Sequence, residues 1–111
     1  MGIFSLLIGA TGIIFTIAGF ILYKFPPKKI NHLYGYRTRT SMQSQERWDF
    51  AQKYSAKKMM QGGIIMILSA WAGFHFQLDE SKHALIGLLI VIFITAFILF
   101  ITEKKLRKIN P

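Results

Sequence analysis

Few side chains in this sequence have the types that do chemistry. His32, Ser41 and Asp49 supply the residue types of a nucleophilic triad. A triad needs a base held against the nucleophile and an acid that orients the base, and no Gly-x-Ser-x-Gly turn surrounds Ser41. The three therefore read as a chance assortment. Asp79, Glu80 and His83 carry metal-ligating atoms, but their spacing matches no ligand pattern and suits a solvated turn. The chain has no cysteine, which excludes disulfides and thiolate metal sites. No glycine-rich phosphate loop is present. Gln61 and His75 interrupt an otherwise apolar stretch, where polar residues are functional candidates, yet both sit near its ends, within reach of headgroups and water. The expectation is a protein that is not an enzyme and holds no metal and no cofactor.

The elements that position these residues are mostly oil. Of 111 residues, 52% are hydrophobic and only 17% charged, too apolar for an ordinary soluble domain of this size. Three segments, 2–23, 59–78 and 84–102, lack charge. About 20 apolar residues rising ~1.5 Å each cross a hydrocarbon core ~30 Å thick. None of the three has the polar face that a helix of a soluble bundle needs. The first lacks the basic start and small-residue cleavage site of a signal peptide, so a retained helix is expected. The fold class that follows is all-α: a single membrane domain over 1–111 with three transmembrane helices. A loop spans 24–58 and a tail 103–111.

The net charge of +9 is not spread over one soluble face, as nucleic-acid binding would require; it flanks the apolar blocks. Lys24, Lys28, Lys29, Arg37, Arg39, Arg47, Lys53, Lys57 and Lys58 face only Glu46 and Asp49 in the loop. Lys104, Lys105, Arg107 and Lys108 load the tail. Positive loops stay inside, which places the loop and C-terminus in the cytoplasm and the N-terminus outside.

Ser5, Gly9, Gly12, Thr16 and Gly19, continuing from Gly2, recur at alternating steps of three and four, a small-residue groove along the first helix. The second helix offers two rows at spacing seven: Ser55, Gly62 and Ser69, and Ala56, Gly63 and Ala70. A close contact of helices one and two is expected, with the bulky third helix facing lipid. That seam serves either one chain or a homo-oligomer.

The polar loop itself is organised. Pro26 and Pro27 stop the first helix. A helix restarts near Ser41 or Ser44, with Glu46 in its first turns. Trp48, Ala51 and Ser55 share one face, and Phe50 and Tyr54 form an i, i+4 pair. This amphipathic cytoplasmic helix is expected to run on into the second span. Asn31, Gly35-Tyr36-Arg37-Thr38, Ser41, Trp48 and Ala51 together resemble the motif of the SdpI family, bacterial membrane proteins named for immunity to a secreted killing peptide. Gln52 stands where that family often has Asn, and Arg39 where a Pro is common.

The resemblance implies a non-enzymatic protein of the bacterial cell membrane that protects against a membrane-active peptide or supports the envelope. It makes Asn31, Gly35, Tyr36, Arg37, Thr38, Ser41 and Trp48 the candidate partner-binding residues. Arg37 would present a planar fork to a lipid phosphate, a helix C-terminus or an acidic partner, or would lock the loop onto the bundle. Two other classes compete. One is a signalling scaffold whose basic loop recruits a cytoplasmic regulatory protein or anionic lipid headgroups. The other is a small oligomeric channel or transporter subunit, for which polar faces on the spans are scarce.

Overall fold

The computed structural model describes residues 3–73 and 79–109. Gly2, His75 and the end of the second expected span lie outside them, as does the side chain of Glu80. All regular structure among the described residues is helical: α1 (Ile3–Lys24), α2 (Gln45–Gly73) and α3 (Glu80–Leu106). Among the described residues, two helices are long and apolar enough to cross a membrane, Ser5–Lys24 and Ser81–Leu106. α2 is one continuous helix of 29 residues, charged at its start and apolar from Met59 onward.

Each helix boundary has a local cause. α1 ends where Phe25 N donates to Ile21 O, just before Pro26 removes the next donor. Ser44, not Ser41, caps α2: its Oγ accepts from Arg47 N at 3.1 Å. Asp79 caps α3 by accepting from Lys82 N at 2.9 Å. The expected solvated turn at 79–83 is therefore the opening turn of α3 with its cap. α3 also runs past the expected limit at 102, so that Glu103, Lys104 and Lys105 are helical. The cations there and at Lys24 sit in last turns, where the helix dipole favours them.

α1 and α2 pack antiparallel and far more extensively than either packs on α3. A Cβ at Gly12 would stand 2.6 Å from Gly63 O, and one at Gly19 would stand 2.8 Å from Ala56 O. Backbone thus meets backbone, which only glycine allows. Gly9 is looser; its Cβ would find Ala70 at an ordinary 3.5 Å. Thr16 turns its hydroxyl back to Gly12 O at 2.7 Å. Ser5 is buried at the start of the seam.

Only one of the two rows expected on α2 faces α1. It is Ala56, Gly63 and Ala70. Gly62 turns to α3, where a Cβ would meet Ile94 at 2.8 Å. Ser69 bonds its own helix at Ile65 O and lines the α2–α3 groove. A period of seven is common to both rows, and their one-residue offset, about 100° around a helix, puts them on different faces. Ile8, Met66, Ala70, Ile94 and Ile98 form the core where all three helices meet. Outside it, α1 and α3 expose long apolar faces, including Leu6, Ile13, Ile14 and Ile17 on α1 and Leu88, Ile92 and Phe93 on α3. Surfaces of that extent are unfavourable in water and favourable in lipid.

Candidate functional site

The loop 25–44 folds over the end of the bundle where α1 stops, α2 starts and α3 stops. Asn31 opens it. Its Oδ1 accepts from Leu33 N at 2.9 Å and Tyr34 N at 2.8 Å, and its amide donates to Lys29 O. This is an Asx-type turn, which short amide side chains form well. Tyr34 then anchors the turn by donating to Phe25 O at 2.9 Å.

Gly35 has φ +105°, a backbone state that L side chains rarely adopt. It lies so close to α2 that a Cβ would come 2.5 Å from Gln52 Oε1. That approach lets Gln52 hold the next residue at two points. Tyr36 N donates to Gln52 Oε1 at 2.7 Å, and Gln52 Nε2 donates to Tyr36 O at 3.0 Å. Gln52 is fully buried, so the pair satisfies amide groups that water cannot reach.

The phenol of Tyr36 reaches α3 and donates to Glu103 Oε2 at 2.7 Å. Thr38 Oγ1 donates to the same oxygen at 2.9 Å. Burial, and then the hydrogen bond and negative charge of Glu103, raise the Tyr36 pKa well above its ordinary value. Thr38 and Ser41 close the following turn on each other: Thr38 N donates to Ser41 Oγ and Ser41 N to Thr38 Oγ1.

Trp48 is fully buried and donates its indole N–H to Pro27 O at 2.8 Å. Ala51 and Ser55 are buried on the same face, and Phe50 stacks on Tyr54 with centroids 5.2 Å apart. Arg37 is exposed and donates to His32 O, five residues back in its own loop. Asn31, Gly35, Tyr36, Arg37, Thr38 and Ser41 are thus gathered into one folded loop, and Trp48, on α2, is bonded to its start at Pro27. The triad types are employed separately: Ser41 in its turn, and Asp49 as acceptor for Gln45 Nε2 at 2.8 Å.

Three residues with large roles here were missed in the sequence. In the sequence Gln52 reads only as a departure from a motif, and Glu103 only as the start of the tail. Arg47, counted as a loop cation, is buried and donates through Nε to Ile109 O at 2.8 Å, which ties the tail to α2. The one signal for Glu103 was an isolated acid at the end of an apolar span, beside Lys104 and Lys105.

The comparisons with known proteins cover this region. The family model described as the SdpI/YfhL protein family matches residues 28–102. A Bacillus subtilis (strain 168) protein, "Uncharacterized protein YfhL", is 38% identical over 91 residues, which are 82% of this chain and 77% of that protein. No solved structure matches the chain.

Proposed function

This chain belongs to the SdpI/YfhL family, and on that premise we propose that it is a non-enzymatic, multi-pass protein of the bacterial cell membrane that protects the envelope against a membrane-active peptide. In this reading α1, the apolar part of α2 and α3 are three spans. The charged start of α2 is a cytoplasmic amphipathic segment. The loop and the C-terminus lie in the cytoplasm with the cations, and the N-terminus lies outside.

One observation carries the proposal. The motif residues from Asn31 to Ser41 fold into a single loop, held by Gln52 of α2 and Glu103 of α3, with Trp48 of α2 bonded to its start at Pro27. A loop that merely joined two spans would not need a buried glutamine and a carboxylate from a third element to fix its backbone. Holding Arg37 and its neighbours at one place is what a binding surface requires. The test is a deletion strain challenged with membrane-active peptides. The deletion is expected to sensitise cells to at least one, with restoration by the intact gene. Unchanged survival across the panel, with the envelope equally intact, contradicts the reading.

A further inference from the structure

Beside the motif loop lies a recess of about 380 Å³ between all three helices. Its walls are of two kinds. Ala18, Leu22, Met59 and Leu99 form an apolar half, drawn from the stretches read above as spans, while the loop residues from Tyr34 to Thr38, Arg37 among them, form the other end. Leu99 is also 46% exposed on the outside of α3, so the recess borders the surface that faces lipid. Arg37 makes no ion pair among the described residues; its guanidinium meets a neutral carbonyl. Lys24, Lys104 and Lys105 end the two helices that converge here. The nearby acid, Glu103, is not part of the wall, and its Oε2 is occupied by Tyr36 and Thr38.

We propose that this recess binds one anionic phospholipid, with the phosphate on the Arg37 fork and the upper acyl chain against Leu22, Met59 and Leu99. Charge complementarity selects this occupant. A planar guanidinium matches phosphate oxygens, and clustered cations at a membrane surface attract anionic lipid. A free phosphate would leave the apolar half unused. The inference rests on the membrane reading above but not on peptide protection.

The experiment is native mass spectrometry of the purified full chain given equal phosphatidylglycerol and phosphatidylcholine with identical acyl chains. Phosphatidylglycerol should be retained about tenfold or more over phosphatidylcholine, the scale of one charge-assisted contact. Arg37→Ala should abolish the preference and Arg37→Lys should lose most of it, while Lys28→Ala should keep it. Leu99→Trp, on an exposed helix face that tolerates change, should weaken retention of phosphatidylglycerol with Arg37 intact. Equal retention of the two lipids overturns the proposal. So does full retention by Leu99→Trp, even if Arg37→Ala fails to fold. Displacement of the lipid by millimolar inorganic phosphate would make the ligand a free anion and also overturns it. A chain that protects cells but binds both lipids equally defeats this inference alone. A chain that selects phosphatidylglycerol but protects no cells defeats the peptide reading alone.

Discussion

Tyr36 and Glu103 stand 67 positions apart and meet at 2.7 Å, phenol to carboxylate. The bond pins the motif loop to the last turns of α3. Removing it with Tyr36→Phe should cost about 1–2 kcal/mol, below the full value of a charge-assisted bond because the site is half exposed. Thermal unfolding of Tyr36→Phe, Glu103→Gln and the double variant in detergent should show coupling. Strict additivity would mean that the bond contributes nothing.

The same contact sets a pH dependence. The folded chain holds the Tyr36 proton more tightly than the unfolded chain does, since its pKa is raised on folding. The associated stability is complete below the ordinary tyrosine pKa of about 10 and declines as pH rises above it. Phenolate absorbance of the parent should include one tyrosine that ionises late, and Tyr36→Phe should lose that component. A parent whose tyrosines all titrate normally would contradict the contact.

Gln52 tests the fold of the loop more sharply. Gln52→Ala leaves the Tyr36 N–H without its partner and takes one of two donors from the Tyr36 carbonyl, which keeps Ser41 Oγ, at a cost of about 1–3 kcal/mol. Gly35→Ala should be at least as damaging, because it combines a positive φ with a collision on Gln52 Oε1. Limited proteolysis between residues 28 and 44 should accelerate in both variants. Cleavage at the parental rate in both would show that the clamp is not needed.

Seam glycines should differ among themselves. Gly12→Ala forces apart backbones already in contact and should destabilise by on the order of 1–3 kcal/mol. Gly9→Ala has ordinary room, and Phe97→Leu changes an exposed face. Unfolding in detergent that ranks the three alike would refute the seam geometry.

What was legible in the sequence was periodic. The three helices, the proline stop after α1 and the buried face of Trp48, Ala51 and Ser55 all follow from spacing along one element. The glycine series named α1's contact face, yet it left two rows on α2 undistinguished, because phase between helices is a tertiary property. Glu103, Gln52 and Arg47 were illegible as partners for the same reason. Their roles depend on which helix end lies beside which loop, and nothing local at Glu103 points to Tyr36.

Orientation in the membrane rests on loop charge and has a direct check. Single cysteines at Ser81 and Lys29, both exposed positions, should behave oppositely toward an impermeant thiol reagent on intact cells. Ser81→Cys should label and Lys29→Cys should not. The reverse pattern would invert the topology.

The central claim is that the folded motif loop serves protection and is more than a brace for the bundle. Survival of peptide-challenged cells carrying Arg37→Ala or Arg37→Lys, at abundance matched to the parent, tests it most directly. Arg37→Ala should leave cells as sensitive as the deletion. Arg37→Lys should protect poorly, because it keeps the charge and loses the fork, while Lys28→Ala should protect fully. Full protection by Arg37→Ala at equal abundance would contradict the account.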